Sequence, residues 1–82
     1  MKELDLKLIS AEQTLFQGNV LYVKLPGTEG NFSIHPSHAP LVSSLKQGDI
    51  IYQTEKDGLK SVTISGGFIE VNHNSVTVCV EI

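Results

Sequence analysis

The chain has 82 residues, 40% of them hydrophobic, and a formal net charge of −3 at pH 7 without a single arginine. A chain of this length buries only about 60% of its unfolded surface, so we expect residues 1–82 to form one domain with a thin core. The acidic balance and the lack of any lysine cluster argue against a nucleic-acid-binding surface built on phosphate contacts.

Hydrophobic and polar residues alternate along most of the chain, and a period of two predicts β-strands. Residues 49–54 and 67–71 are shorter runs rich in β-branched and aromatic side chains, which also predict strands. No window carries helical spacing over three turns, so we expect no helix longer than about one turn. In chain order, the alternating apolar positions are Leu4, Leu6, Leu8, Leu21, Val23, Leu25, Val62, Ile64, Val76, Val78 and Val80.

Turn-forming residues separate these runs at intervals of about ten residues, a spacing typical of a β-sandwich or small barrel. Residues 17–19 (Gln-Gly-Asn) predict one turn. Residues 55–58 predict a hairpin because Asp-Gly readily takes positive φ, and residues 72–74 predict another because Asn tolerates the left-handed region. The two glycines in residues 65–67 predict a bend where a neighbouring backbone approaches closely.

The segment from Gly27 to Asp49 interrupts the alternation with glycines and prolines. We predict a loop-like stretch here, and irregular segments on a rigid scaffold usually carry function. Its X-Pro bonds, at Pro36 and Pro40, stiffen the backbone in an extended or turn form. Residues 32–45 are therefore either a pre-shaped docking edge, which needs little ordering on binding, or a buried crossover between two sheets.

A metal site has weak support in the sequence. His35 and His38 are three residues apart, but two nearby prolines oppose the helix that would aim both rings at one ion. The remaining histidine, His73, falls in a predicted turn far along the chain. Zinc normally takes three or four protein ligands, so we predict neither a metal site nor a cofactor.

Nucleophilic catalysis has no better support. Ser65 lacks the G-x-S-x-G context of a serine hydrolase, and residues 27–30 lack the lysine and the helix of a phosphate-binding loop. We therefore predict no catalytic residues. A small enzyme or metal protein that uses His35, His38 and Ser65 is the alternative that this part of the sequence leaves open.

The cellular setting is constrained by what the sequence lacks. Cys79 is the only cysteine, which excludes an internal disulfide, and we expect it to be a small buried residue of the last strand. The first ten residues do not resemble a secretory signal, and no run approaches the ~20 apolar residues of a membrane span. We expect a reducing compartment and no direct insertion into a membrane.

Three blocks of the sequence resemble a known family. Residues 9–18 read ISAEQTLFQG, residues 27–48 contain GTEG, HAPL and LKQG, and residues 65–78 contain SGGFIEV and NSVTV. In this order and spacing they resemble the epsilon subunit of bacterial rotary ATP synthases, specifically its N-terminal β-sandwich domain. Many members continue into a C-terminal helical hairpin, and the resemblance covers only the part before that hairpin.

The resemblance implies a flattened all-β sandwich of about ten strands that performs no catalysis and binds no cofactor. It implies a rotor subunit of the central stalk, which links the gamma subunit to the polar loops of the membrane c-ring and supports coupling of ion flow to ATP synthesis. Such a subunit is peripheral to the membrane, on the cytoplasmic face of the bacterial cell membrane. A free-standing β-sandwich protein-binding module is the alternative.

The resemblance also assigns residues to these two partners. Two positions depart from the family pattern: Asn31 stands where many members carry an acid, and Ser37 stands where many carry a glycine. Because serine disfavours positive φ, we expect the turn at Ser37 to form without it. The implied c-ring-facing residues are Gly27, Thr28, Glu29, Gly30, Asn31 and Phe32. The implied gamma-facing residues are Ser10, His38, Ala39, Pro40, Leu41 and Ser43.

Overall fold

The computed structural model describes residues 3–82, and this part of the chain contains nine β-strands and no helix. The prediction of an all-β protein is confirmed, with nine strands instead of about ten. The strands are β1 (Leu4–Ser10), β2 (Thr14–Val20), β3 (Tyr22–Gly27), β4 (Gly30–Ile34), β5 (Leu41–Leu45), β6 (Gly48–Thr54), β7 (Gly58–Ile64), β8 (Gly66–Asn72) and β9 (Ser75–Glu81).

All nine strands belong to one hydrogen-bonded sheet, in the order β2-β1-β9-β8-β5-β3-β6-β7, with β4 paired to β3. Neighbouring strands are antiparallel except β1 and β9, which run parallel and join the two ends of the described chain. The sheet curls, so that the ring of Phe16 on β2 lies 4.6 Å, centroid to centroid, from the ring of Tyr52 on β6. The curling brings the two halves of the sheet face to face, which is the sandwich that the strand pattern predicted.

The core fills the space inside the curled sheet and follows the alternation seen in the sequence. Leu4, Leu6 and Leu8 of β1 are fully buried, whereas the residues between them are exposed. Burying each such side chain stabilises the fold by roughly 1.5–3 kcal/mol. Two of the predicted positions are only half-buried, Val62 and Leu21. Leu21 lies in the bend before β3, and its amide donates to the carbonyl of Gln53.

One predicted turn is wrong. Residues 17–19 lie inside β2, and Gly18 pairs with Leu6 of β1. A Cβ at Gly18 would lie 3.3 Å from the ring of Phe16. The glycine therefore makes room for an aromatic ring on an uninterrupted strand, and it does not turn the chain.

The prediction that residues 27–49 are loop-like is also largely wrong, because β4 and β5 lie within them. Only residues 28–29, 35–40 and 46–47 are irregular. The alternation is hard to see because each of the two strands has only five residues and includes glycine or serine at positions where a core residue would show the pattern.

Residues 35–40, hereafter the crossover, carry the chain from β4 to β5. None of these six residues is buried: four are exposed, and Pro36 and His38 are half-buried. The alternative of a buried crossover is therefore wrong, and the segment runs along the protein surface.

The other predicted turns are present. Residues 55–57 connect β6 to β7, with the amide of Asp57 donating to the Thr54 hydroxyl over 2.8 Å. In the β8–β9 turn the positive φ of 58° falls on His73 and on neither asparagine. Cys79 is half-buried, not buried as expected, because it lies on the outer face of β9 opposite Phe68.

Candidate docking surfaces

The six implied c-ring-facing residues, 27–32, form a tight hairpin between β3 and β4, hereafter the tip. Thr28 and Glu29 make the turn, and Gly27 pairs with Gly30 across it. A Cβ on Gly27 would lie 2.7 Å from the carbonyl oxygen of Gly30 and 2.7 Å from the ring of Phe32. Only glycine fits there, so the ring of Phe32 closes over Gly27 and supports the turn from within.

Exposure divides the tip into two groups. Thr28, Glu29, Gly30 and Asn31 are exposed, Phe32 is half-buried and Gly27 is buried. The exposed group carries one carboxylate, one hydroxyl and one amide, so the tip offers a partner a polar surface. Gly27 and Phe32 lie beneath this polar surface and support it.

Hydrogen bonds to neighbouring segments hold the tip in place. The Thr28 amide donates to the Ser44 carbonyl over 3.2 Å, and the Lys46 amide donates to the Pro26 carbonyl over 2.8 Å. Beside the tip lies a shallow groove of about 420 Å³, whose lining includes Lys24, Asn31 and Lys46 as well as the apolar Leu25 and Ile51. The tip is therefore tied to β5 and to the β5–β6 turn, which restricts its motion relative to the sheet.

The crossover contains a residue in an unexpected conformation. Ser37 has a φ of 69°, so the prediction that this turn forms without positive φ is wrong. A non-glycine residue in this region costs of order 1 kcal/mol or more and persists only when its surroundings hold it there. The Ser37 amide donates to Oδ1 of Asn74 over 2.7 Å, and such a bond contributes about 1 kcal/mol. The two effects are similar in size, so this hydrogen bond can offset the strain.

The ring of His38 is oriented by a neighbouring backbone group. Its Nδ1 lies 2.6 Å from the Ala39 carbonyl oxygen. A carbonyl can only accept a hydrogen bond, so Nδ1 carries the proton and Nε2 is the acceptor when the ring is neutral. The His38 amide also donates to the His35 carbonyl over 3.2 Å, which closes the turn.

The two histidines of the crossover do not converge on one point. The His35 ring lies 5.7 Å, centroid to centroid, from the ring of Tyr22 on β3, whereas Nδ1 of His38 is paired with the Ala39 carbonyl. Within residues 3–82, no three metal-ligating side chains come together. The Ser65 hydroxyl donates to the Glu81 carbonyl over 3.0 Å, so this serine joins the ends of β7 and β9.

The implied gamma-facing residues do not form one cluster. Leu41 is in register with Val71 of β8, Val76 of β9 and Leu6 of β1. Ser10 lies four residues beyond Leu6 on the same strand, which is roughly 13 Å along the strand direction. Ser10 is therefore far from the crossover: it is the last residue of β1, and its hydroxyl donates to the carbonyl of Gln13 in the connection to β2.

Between Ser10 and the crossover lies an apolar area that the sequence analysis missed, the outer patch: Ile9, Val42, Phe68 and Cys79. Ile9, Cys79 and Phe68 are in register across β1, β9 and β8 on the outer face of the sheet. Val42 is 73% exposed and Phe68 is 52% exposed. A shallow groove of about 400 Å³ is lined by Ile9, Phe68 and Cys79, together with Ala11 and Gly67 among others. Val42 lies outside this groove, in register with the exposed Glu70.

A signal for the outer patch was present in the sequence. Ile69 and Val71 of β8 point into the core. Phe68 alternates with them and therefore lies on the outer face, where the pattern predicts a polar residue. An aromatic residue out of phase with the buried positions predicts an exposed apolar side chain. Contiguous exposed apolar area often marks a protein interaction site.

Residues 3–82 match the family model of the ATP synthase delta/epsilon chain, beta-sandwich domain. The chain belongs to this family. The three sequence blocks of the resemblance now have positions in the fold of an ATP synthase delta/epsilon chain: the β1–β2 connection, the tip with the crossover and β5, and β8 with its hairpin to β9.

A curated relative supports the same assignment. The ATP synthase epsilon chain of Leptospira borgpetersenii serovar Hardjo-bovis (strain JB197) is 41% identical over 76 residues, which cover 93% of this chain and 59% of the relative. The chain thus spans less than two thirds of the length of that epsilon chain.

Two solved structures share the fold. A chain of the Euglena gracilis mitochondrial ATP synthase, from a cryo-EM structure of OSCP, F1 and c-ring, matches with a TM-score of 0.89 at 24% identity over 95% of this chain and 50% of its own length. A chain from the central stalk and c-ring of the Tetrahymena thermophila mitochondrial enzyme matches with a TM-score of 0.82 at 14% identity over 99% of this chain and 65% of its own. At such low identities the matches establish the fold. Among the described residues, none forms a helix that could cross a membrane.

Proposed function

We propose that this chain is the β-sandwich domain of an epsilon subunit, formed by residues 1–82, and that it is a non-catalytic rotor component of the central stalk. The main observation in support of this proposal is the family match over residues 3–82, and the 41% identity to an epsilon chain adds to it. In this function the domain links the gamma subunit to the c-ring of a proton-translocating ATP synthase. It contributes to the coupling of ion flow to ATP synthesis, and its place is the cytoplasmic face of the bacterial cell membrane, as a peripheral part of the complex.

The architecture suits a connector that must transmit torque. Every strand is hydrogen-bonded into one sheet, and the parallel pairing of β1 with β9 joins the N-terminal strand to the C-terminal one. Close-packed interiors have low compressibility and transmit strain. A domain whose strands are all hydrogen-bonded into one packed sheet passes a load between its surfaces with little internal deformation.

The tip is the surface that we assign to the c-ring. Its exposed residues Thr28, Glu29 and Asn31 are polar, which matches the polar character of the ring loops. The hydrogen bonds from Thr28 to β5 and from Lys46 to β3 hold the hairpin in position. Because the tip is already ordered, its binding would cost little conformational entropy.

The gamma surface extends, in our proposal, across the outer face of β5, β8, β9 and β1. The outer patch forms its main part, and the crossover residues His38, Ala39 and Pro40 lie at one end of it. Leu41, Ser43 and Ser10 are in register with the core residues Val71, Ile69 and Val80, so they belong to the inward phase of their strands and we do not place them on this surface. The exposed side chains of Val42 and Phe68 would be covered by the partner. Family membership favours the synthase over the alternative of a free-standing binding module.

Co-expression with the cognate gamma subunit and c-ring, followed by size-exclusion chromatography, tests the proposal. The wild-type chain should elute with gamma, and Phe68→Asp should abolish that complex by placing a charge in the outer patch. The matched control is Leu59→Asp: Leu59 is also an exposed apolar residue, at 62%, but it lies on the edge strand β7. A wild-type chain that forms no complex with gamma would refute the proposed function.

A further inference from the structure

The crossover is held from outside by a side chain of the β8–β9 turn. Oδ1 of Asn74 accepts a hydrogen bond from the Ser37 amide over 2.7 Å, although the two residues are 37 positions apart. The backbone carbonyl of Asn74 also accepts from the Asp5 amide over 2.8 Å. Asn74 is thus fixed by its own hairpin and by the start of β1, and its side chain extends this support to the crossover.

The bond falls at the one residue of the crossover that has positive φ. Ser37 carries a Cβ and has a φ of 69°, a conformation that non-glycine residues adopt only when the surroundings impose it. Without an acceptor at Asn74, the Ser37 amide would depend on water, and the strained conformation would lose the hydrogen bond that offsets its cost. Loss of an ordinary hydrogen bond shifts such an equilibrium by roughly tenfold at most.

The conformation of Ser37 determines where His38 lies. His38 follows Ser37 directly, and its amide donates to the His35 carbonyl over 3.2 Å to close the turn. Its Nδ1 is paired with the Ala39 carbonyl at 2.6 Å, which leaves Nε2 available as an acceptor. A change of φ at Ser37 would break this turn and displace the ring.

We propose that Asn74 is a positioning residue: it holds the crossover in the conformation that presents His38 to its protein partner. This inference rests on the proposed function, in which that partner is the gamma subunit. Asn74 itself need not touch gamma. Its contribution is to order the crossover before binding, which raises affinity by removing an entropic cost.

The test uses Asn74→Ala, which removes the acceptor, and Asn74→Asp, which replaces the amide oxygen with a carboxylate oxygen that can also accept. Both are studied at about 0.15 M salt, where the Debye length of about 8 Å weakens repulsion between the new charge and nearby carboxylates. Hydrogen exchange of the Ser37 amide in the free chain, followed by NMR, directly reports the hydrogen bond between this amide and Asn74. We expect exchange roughly tenfold faster in Asn74→Ala and close to wild type in Asn74→Asp.

Calorimetric titration with the cognate gamma subunit then reports the consequence. Asn74→Ala should weaken binding roughly fivefold, and Asn74→Asp should restore it. The double variant Ser37→Gly with Asn74→Ala should also recover most of the affinity, because glycine takes positive φ without strain. A loss caused only by a damaged β8–β9 turn would not be rescued by a substitution at Ser37.

The outcomes separate this inference from the proposed function. Unchanged exchange of the Ser37 amide in Asn74→Ala would overturn the positioning role alone. So would an Asn74→Ala variant that binds gamma as tightly as the wild type while His38→Ala binds it weakly. A wild-type chain that fails to bind gamma would overturn the proposed function and this inference together.

Discussion

Gly67 on β8 approaches the carbonyl of Cys79 on β9 so closely that a Cβ at this glycine would overlap the carbonyl oxygen and lie 3.0 Å from Cα of Val80. Gly67 also has a φ of 151°, at the limit of the region that favours glycine. The sequence predicted a close backbone approach at this double glycine, and the structure confirms it for Gly67.

Gly67→Ala should therefore destabilise the fold by about 2–4 kcal/mol, from overpacking together with an unfavourable backbone conformation. Urea unfolding followed by circular dichroism gives the change in free energy. Gly66→Ala is the matched control, because a Cβ there would come no closer than 3.7 Å to any other atom and should change stability by less than about 1 kcal/mol. Equal effects from the two variants would contradict this account of the β8–β9 contact.

Stability at alkaline pH should depend on Tyr52. Burial raises the pKa of its hydroxyl above the ordinary value of 10.0. Below about pH 10 the residue is neutral in both the folded and unfolded chains, so its contribution to stability is fully present. Above that pH the unfolded chain ionises first, unfolding releases a proton, and stability falls until the pH passes the raised pKa of the folded state.

Tyr52→Phe isolates this effect, because it removes the titrating group and keeps the ring that contacts Phe16. The free energy of unfolding of the wild type, measured in urea from about pH 9 to about pH 11, should fall more steeply than that of the variant. Parallel curves for the two proteins would show that Tyr52 does not contribute.

The sequence predicted those parts of the fold that depend on local pattern. The alternation in β1 and β9 is clear because each strand buries the side chains of one face and leaves those of the other exposed or half-buried, so their positions and the core residues followed directly. The alternation failed for β4 and β5, which were assigned to a loop, because each is short and has few large core residues. Gly18 was misread because a glycine beside an aromatic ring and a glycine in a turn look the same in sequence.

The geometry of the candidate site could not be predicted from the sequence. The positive φ of Ser37 depends on an acceptor 37 residues away, and no local rule relates the two positions. Ser10 and His38 were grouped by resemblance, whereas the strand register separates them. Only the register shows that Phe68 and Ile9 share the outer face of the sheet.

The tip should divide into residues that stabilise the fold and residues that bind. Phe32 packs against the core and over Gly27, so Phe32→Ala should cost about 2 kcal/mol of unfolding free energy. Asn31 is exposed beside it, so Asn31→Ala should alter stability by no more than about 0.5 kcal/mol and weaken c-ring binding a few-fold. Pull-down with purified c-ring and urea unfolding measure the two properties, and a large loss of stability in Asn31→Ala would contradict the division.

His38→Ala should weaken gamma binding more than it weakens the fold. The residue is half-buried on the surface, and the turn is closed by its backbone amide, which the substitution keeps. The side chain loses only its bond to the Ala39 carbonyl, so the free energy of unfolding should fall by about 1 kcal/mol or less. The lost Nε2 acceptor and ring surface should lower gamma affinity at least tenfold, as expected of a residue at the centre of an interface.

Calorimetric titration and thermal unfolding are the two measurements, and His35→Ala is the control because that ring faces Tyr22. A large drop in melting temperature with unchanged gamma affinity would show that His38 stabilises the crossover and does not bind gamma.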